Sequence, residues 1–166
     1  MSATVSAQGD LWIDDHHLIE DLGIALGQCV KAGLGGKVGC NRMWSETYEG
    51  VTVVLDLSGR PFFQMDLELS DDNVDCGTVA MGDVQGSFSV EMFDHLLDSL
   101  LVTTLSTAHV TYDGAYDGLY AGPGTMSNFS RCNAAMVALG RCLKKCKEMD
   151  VRREGKAASS KGTLSA

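Results

Sequence analysis

Apolar residues recur at every third or fourth position in three stretches of the chain, which is the spacing of amphipathic helices. The first predicted helix covers residues 15–33 and ends in the glycine-rich segment 33–36. The second covers 89–101, with a stripe formed by Met92, Phe93, Leu96, Leu97, Leu100 and Leu101. The third covers 128–149, and its predicted buried positions are Ala134, Ala135, Val137, Ala138, Leu139, Cys142 and Leu143.

Runs of branched and aromatic residues predict the strands. Residues 51–58 and 62–69 flank the corner Gly59-Arg60-Pro61 and are predicted to pair with each other. Two further strands are predicted at 2–13 and 103–111. The remaining segments are polar or rich in glycine and are predicted as loops, at 37–48, 71–86 and 114–124.

Adjacent histidines stand in the first turn of the first predicted helix. On that helix His17 and Glu20 share a face, one turn apart, and His16 lies beside them. Two imidazoles and a carboxylate on one rigid element suit a borderline divalent cation such as manganese, iron or zinc. A helix supplies only one side of a coordination sphere, so other ligands must come from elsewhere in this chain or from another chain. The alternative is a pair of ordinary surface or core histidines.

A short internal repeat relates the first and third helices. Residues 25–31, Ala-Leu-Gly-Gln-Cys-Val-Lys, recur 113 positions later at 138–144 as Ala-Leu-Gly-Arg-Cys-Leu-Lys. This agreement of apolar, glycine and cysteine positions predicts a duplicated strand-then-helix unit. The same offset carries the three candidate ligands onto residues that do not replace them, Phe129, Ser130 and Asn133. The second copy of the motif has therefore lost its ligands.

Composition narrows the range of functions. A net charge of −9 and an isoelectric point near 4.7 argue against nucleic acid or an anionic membrane as the partner. No apolar run reaches the roughly 20 residues that span a bilayer, and no charged-then-apolar leader precedes the first helix. We therefore expect a soluble, cytoplasmic protein, with a plastid or other organelle as the alternative. The six cysteines lack metal-ligand spacing and are expected to be buried or idle thiols.

The segment Gly9-Asp10-Leu11-Trp12-Ile13-Asp14-Asp15-His16-His17-Leu18-Ile19-Glu20-Asp21-Leu22-Gly23-Ile24 resembles the motif of the imidazoleglycerol-phosphate dehydratases, a family of histidine biosynthesis. The resemblance continues in four later segments, Gly39-Cys40-Asn41-Arg42, Leu55-Asp56-Leu57-Ser58-Gly59-Arg60-Pro61, Phe93-Asp94-His95-Leu96-Leu97 running into His109, and Ser159-Ser160-Lys161-Gly162. It implies a duplicated α+β fold of the ribosomal-protein-S5-domain-2-like kind, with two small sheets packed against helices and an incomplete first half.

The resemblance and the repeat together predict the domain organisation. The chain is read as a single dehydratase-like domain over 1–166. Within it, residues 1–36 are the remnant of the first half-repeat and residues 37–150 are the second half-repeat, with a glycine-rich insertion at 114–124. Residues 151–166 form a basic C-terminal tail.

The resemblance also implies a chemistry. In this family two manganese ions sit at the subunit interfaces of a large closed oligomer, and they help a carbon-bound proton and the neighbouring hydroxyl to leave a phosphorylated imidazole substrate. Carried over by position, the implied metal ligands are His16, His17, Glu20 and His109, with Glu20 also catalytic. The implied phosphate contacts are Arg42, Arg60, Ser159 and Lys161. His95 stands in a similar-looking Phe-Asp-His segment and is not assigned as a ligand.

These residues leave two principal functions open. The first is a manganese-dependent hydro-lyase that removes water from imidazoleglycerol phosphate in histidine biosynthesis. The second is a non-catalytic, phosphate-binding or structural paralogue, because four retained ligands suit one ion better than two. A third alternative is a chain that does not fold alone, because an incomplete first half would expose a sheet edge and apolar surface.

Overall fold

A four-stranded sheet with helices on one face forms the centre of the computed structural model, which describes residues 4–9, 12, 15–69, 73–75, 87–114 and 126–158. The helices are α1 (His16–Leu34), α2 (Val90–Thr104) and α3 (Asn128–Cys146), followed by a 3-10 turn at Val151–Arg153. The strands are β1 (Met43–Tyr48), β2 (Val51–Asp56), β3 (Phe62–Asp66), β4 (Asn73–Asp75), β5 (Ser87–Ser89) and β6 (Thr107–Tyr112). The expected α+β class is thus confirmed.

The strand order in the main sheet is β1-β2-β6-β3. The strands β1 and β6 pair antiparallel with β2, whereas β3 pairs parallel with β6. The short strands β4 and β5 form a separate antiparallel pair. A parallel neighbour needs a crossover connection, and here α2 lies between β3 and β6 in the chain.

Three strand predictions are wrong. The runs 51–58 and 62–69 do not pair with each other, because β6 lies between β2 and β3 in the sheet. Part of the predicted loop 37–48 is β1, an edge strand whose exposed positions hide the alternation of apolar and polar residues. The predicted strand 2–13 contains no strand within the described residues 4–9, which are all exposed.

Other boundaries differ by a few residues. The second helix extends to Thr104, so its following strand begins at Thr107 rather than at 103. The third helix ends at Cys146, three residues before the predicted end. The predicted loop 71–86 includes β4, and most of the predicted insertion 114–124 lies outside the described residues.

One face of the main sheet is buried against α2 and α3. Alternate residues of β2 and β6 point into this core, namely Val51, Val53, Leu55, Ala108 and Val110. The helices contribute Phe93, Leu97 and Leu101 from α2 and Ala135, Ala138 and Cys142 from α3. Each fully buried valine or leucine contributes about 1.5 to 3 kcal/mol, so this face holds the domain together.

The first helix packs on α2 through two glycines. A Cβ atom added at Gly23 would lie 2.7 Å from the backbone oxygen of Leu96, and one at Gly27 would lie 2.7 Å from the Cβ of Thr103. Only glycine lets the two helix backbones approach this closely. Gly23 and Gly27 are the buried residues of α1, while its leucines and isoleucines are only partly covered. Among the described helices, none combines the length and the apolar character that a membrane span requires.

The thiols of α3 should be unreactive in the folded protein. Cys142 and Cys146 donate to the carbonyl oxygens of Val53 and Leu55, and burial raises the pKa of Cys142 to about 11 and that of Cys146 to about 12. The thiolate is the reactive form. At pH 8 we therefore expect iodoacetamide to alkylate exposed Cys29 at once, and Cys142 and Cys146 only after unfolding in guanidinium, as measured by peptide mass spectrometry. Rapid alkylation of Cys142 without denaturant would contradict this burial.

Candidate metal site

The first turns of α1 and α2 meet at the edge of the helix layer. Helix α1 begins at His16, and α2 begins after Ser89, whose hydroxyl accepts a hydrogen bond from the backbone N–H of Met92 at 3.1 Å. This cap orients the first turns of α2. Glu91 and His95 are four residues apart on that helix and share one face, directed towards the start of α1.

His16, Glu91 and His95 converge. The rings of His16 and His95 are 4.3 Å apart between centroids, and Nε2 of His95 lies 3.5 Å from Oε1 of Glu91. The three side chains can each offer one ligand atom such that all three atoms lie within 4.8 Å of one another. His16 and His95 are half-buried, whereas Glu91 is exposed.

This donor set fits a divalent cation. Ligand atoms that share one ion at about 2.1 Å lie at most about 4.2 Å apart, so small side-chain rotations would complete the geometry. Two imidazoles and one carboxylate favour manganese, iron or zinc over calcium. A six-coordinate ion held by three protein atoms keeps open positions for a substrate or for ligands from another chain.

The other predicted ligands do not join this group. The ring of His17 lies 6.4 Å from that of His16 at an interplanar angle of 80°, and His17 and Glu20 are both exposed. His109 lies on β6, on the sheet face opposite the buried core, with its ring 5.3 Å from that of Phe62. Since α1 and α2 lie on the core side, one chain does not bring His109 to His16.

The two predicted phosphate contacts within the described residues, Arg42 and Arg60, lie at one end of the sheet. Arg42 donates to both carboxylate oxygens of Asp56 at 2.7 and 2.9 Å, and this hydrogen bonding raises the pKa of Arg42. Its third bond goes to the carbonyl oxygen of Ala158 at 3.0 Å. Arg60 is exposed, and its backbone carbonyl oxygen accepts a hydrogen bond from the hydroxyl of Thr107. Ser159 and Lys161, the other two predicted contacts, lie outside the described residues.

The equivalent turn of α3 has another role. Phe129 packs against the core, and the backbone N–H of Ser130 donates to the hydroxyl of the capping Ser127 at 3.2 Å. Asn133 is exposed on the next turn. These residues stand where the first helix has His16, His17 and Glu20, and here Phe129 packs on the core while Ser130 donates to the capping residue.

Sequence reasoning left Glu91 and His95 out of the site. Their spacing of four residues on a predicted helix was a usable signal, because side chains at that spacing share a face. The spacing alone could not show that this face meets the start of α1. That contact follows from the crossing of α1 and α2 through Gly23 and Gly27.

Comparisons with known proteins agree with this architecture. The imidazoleglycerol-phosphate dehydratase family model matches residues 1–143. The chain is 36% identical to the imidazoleglycerol-phosphate dehydratase of Gloeobacter violaceus, over 96% of this chain and 73% of that protein. It is also 36% identical to that of Ruegeria pomeroyi, over 97% of this chain and 74% of the relative.

Two solved structures share the fold. The imidazoleglycerol-phosphate dehydratase of Staphylococcus aureus superposes with a TM-score of 0.61 at 24% identity, over 87% of this chain and 72% of that one. The enzyme of Pyrococcus furiosus, in complex with (S)-C348, gives a TM-score of 0.62 at 23% identity, over 90% and 73%. At these identities the similarity shows a shared fold alone.

Proposed function

Because this chain belongs to the imidazoleglycerol-phosphate dehydratase family of histidine biosynthesis, we propose that it removes water from imidazoleglycerol phosphate with a divalent cation, manganese first, held by His16, Glu91 and His95. The observation that supports this most is the convergence of these three ligand groups within 4.8 Å. The bound cation would supply Lewis acidity that stabilises negative charge developing on the substrate imidazole.

Two further residues of α1, His17 and Glu20, are assigned to substrate binding and proton transfer in this proposal. His17 and Glu20 are exposed on the first two turns of the helix that carries His16. We assign Glu20 as the group that accepts the carbon-bound proton and His17 as a further ligand or hydrogen-bond donor.

The phosphate contacts belong to a second chain in this proposal. Helix α2 separates Glu91 at its start from the sheet end where Arg42 and Arg60 lie, beside Thr107. The thirteen steps along the helix from Glu91 to Thr104 span about 20 Å at 1.5 Å per residue. One small substrate cannot bridge that distance. An assembly in which one chain supplies the metal ligands and its neighbour supplies Arg42, Arg60, Ser159 and Lys161 would complete the site.

A second candidate function rests on the first turn of α3. Phe129, Ser130 and Asn133 offer neither an imidazole nor a carboxylate at the positions where α1 has His16, His17 and Glu20. A non-catalytic paralogue would keep the fold and bind a phosphorylated imidazole without turnover. This candidate predicts binding of inorganic phosphate and no release of product.

One experiment separates the two functions. The purified chain, dialysed against manganese and desalted, is analysed for metal content and then assayed for release of the imidazole-acetol product from imidazoleglycerol phosphate. We expect at least one ion per chain and turnover that is lost on chelation and restored by manganese. A metal-loaded preparation that shows no turnover would reject the dehydratase proposal and favour the paralogue.

A further inference from the structure

The turn that follows helix α2 receives a lysine side chain from the end of helix α1. Nζ of Lys37 donates hydrogen bonds to the backbone oxygens of Thr104 at 2.9 Å and of Leu105 at 3.3 Å. The last turn of α2 contains no basic residue of its own. Because the last carbonyls of a helix have no partner within it and carry partial negative charge, an ammonium group is favourable there. Lys37 therefore caps α2 from a position 67 residues earlier in the chain.

The backbone at Lys37 indicates that its side chain is needed. Lys37 adopts a φ of 52°, in the left-handed region, and two nearby glycines, Gly35 and Gly39, adopt 57° and 73°. This region is unfavourable for a residue with a Cβ atom, so the backbone alone would favour a third glycine here. The chain instead has a half-buried lysine whose ammonium group makes two hydrogen bonds, which points to a role for that group.

The carbonyl oxygen of Leu105 connects Lys37 to the turn that carries Arg60. The backbone N–H of Gly59 donates to this oxygen at 3.0 Å, so the oxygen accepts hydrogen bonds from Gly59 and from Lys37 together. Leu105 is itself left-handed, with a φ of 52°, which is uncommon for a leucine. The two donors help to hold Leu105 in this conformation, and Lys37 thereby affects where Gly59 begins the next turn.

The backbone of Arg60 is fixed, although the residue is exposed. The hydroxyls of Ser58 and Thr107 both donate to its carbonyl oxygen, each at 2.9 Å. On the other side of the turn, the N–H of Phe62 donates to the carbonyl oxygen of Ser106 at 3.2 Å. A cation on a fixed turn loses less conformational freedom on binding an anion than a cation on a mobile loop. The position of this turn therefore decides how well the guanidinium meets a phosphate.

We propose that Lys37 is a positioning residue for phosphate binding: it holds the turn after α2 and, through the carbonyl oxygen of Leu105, sets the position of Arg60. This role rests on the proposed function, in which Arg60 contacts the substrate phosphate. Two of the three hydrogens of the Lys37 ammonium group are already donated to the turn, so its effect on the substrate is through Arg60. The metal ligand His16 stands at the opposite end of α1, a helix about 28 Å long at 1.5 Å per residue.

Lys37→Met tests this role, because it keeps the apolar stem and removes the ammonium group. We expect the dissociation constant of inorganic phosphate, measured by titration calorimetry on the full chain with bound manganese, to rise at least fivefold. The KM for imidazoleglycerol phosphate should rise by a similar factor, while kcat and manganese content stay within twofold of wild type. Lys37→Arg should restore most of the affinity, because a guanidinium can also donate to both carbonyl oxygens. Equal phosphate affinity in wild type and Lys37→Met overturns the proposal.

A double variant separates positioning from direct contact. Arg60→Ala alone should weaken phosphate binding, and adding Lys37→Met should change the affinity less than twofold further, because Lys37 acts through Arg60. A further fivefold loss would mean that the ammonium group binds phosphate itself, and it would overturn the positioning role.

Hydrogen exchange gives a measurement that needs no ligand. In Lys37→Met the amide of Gly59 should exchange at least tenfold faster, because its acceptor residue is held less firmly, while the amides of the core strand β2 keep their wild-type rates. Unchanged exchange at Gly59 contradicts the proposed connection through Leu105. Lys37→Gln, which is polar and shorter, replaces Lys37→Met in all of these measurements if that variant does not fold.

Lys31→Met is the matched control. Lys31 is exposed in the last turn of α1, so this variant removes one positive charge from the same end of the helix and leaves the bonds of Lys37 intact. Its phosphate affinity should stay within twofold of wild type, and an equal loss in both variants overturns the role of Lys37 in favour of a general effect of charge.

The outcomes also separate this role from the proposed function. A wild-type chain that binds phosphate without turnover rejects the dehydratase proposal alone. Turnover with equal phosphate affinity in wild type and Lys37→Met rejects the role of Lys37 alone, and so does a wild-type chain that turns over but binds no inorganic phosphate.

Discussion

Replacing His95 with alanine is expected to abolish metal retention and to lower the dehydration rate at least a hundredfold. The substitution leaves only His16 and Glu91 of the three ligand groups. Glu91 is exposed, and its Oε1 loses the contact with Nε2 of His95 at 3.5 Å. Loss of outer-shell partners alone reduces metal affinity by about 10 to 100 times, so loss of a direct ligand should exceed that range. Metal content after desalting and initial rates with added manganese measure the two effects.

His109→Ala provides the matched control. The side chain is a histidine too, but it lies on the sheet face opposite the helices, beside Phe62. Its removal should leave metal retention by the His16, Glu91 and His95 group unchanged. One firmly held ion per chain in His95→Ala, or its loss in His109→Ala, would show that the cation is held elsewhere.

The His95→Ala variant also tests whether two chains share one active site. Chains carrying His95→Ala and chains carrying Arg60→Ala should each be inactive alone, because one lacks a metal ligand and the other lacks a phosphate contact. If the two halves come from different chains, mixed assemblies prepared by refolding together contain some intact sites and regain part of the activity. Activity that stays at the level of the separate variants would place the whole site within one chain.

Gly27→Leu is expected to destabilise the protein by about 3 kcal/mol or more, whereas Gly140→Leu should stabilise it slightly. At Gly27 even a Cβ would lie 2.7 Å from Thr103 and 2.9 Å from the backbone oxygen of Leu100, so the two helices must separate. At Gly140 no atom lies within 4 Å, and leucine favours the helix by up to about 1 kcal/mol over glycine. Urea unfolding measures both values.

The pair of variants is informative because the positions are equivalent in the internal repeat. The change in side chain and the helical context are therefore matched, and the difference between them reports the packing of α1 on α2. Equal effects on the free energy of unfolding would mean that α1 does not lie against α2 in solution. Because His16 is carried by α1 and His95 by α2, Gly27→Leu should also weaken metal retention.

The helices could be predicted from the sequence because their signal is local. An apolar stripe of period 3.6 and a glycine at the end of α1 lie within one short segment, and each interacts mainly with that segment. The buried face of α3 followed the same logic, and Ala134, Ala135, Ala138, Leu139 and Cys142 are buried as predicted. The boundaries were less certain because both ends of a helix depend on neighbouring elements.

Strand pairing was not predictable in this way. The runs 51–58 and 62–69 are adjacent in the chain and have the composition of a strand pair, yet β6 lies between them. The strand β6 lies between β2 and β3 because the crossover through α2 returns the chain parallel to β3. No residue near the turn at Gly59 indicates this crossover in the sequence. The edge strand β1 was missed because both of its faces carry exposed positions.

For the candidate site, the sequence by itself determined that an imidazole pair stands in the first turn of α1 and that Glu91 and His95 share a face of α2, because helical period relates residues three and four apart. Only the tertiary structure decided which of these side chains meet. The close crossing at Gly23 and Gly27 brings His16 to His95, while the pleat of β6 directs His109 to the other side of the sheet. Contacts between distant segments depend on how whole elements pack, and this packing is a property of the folded chain rather than of any one stretch.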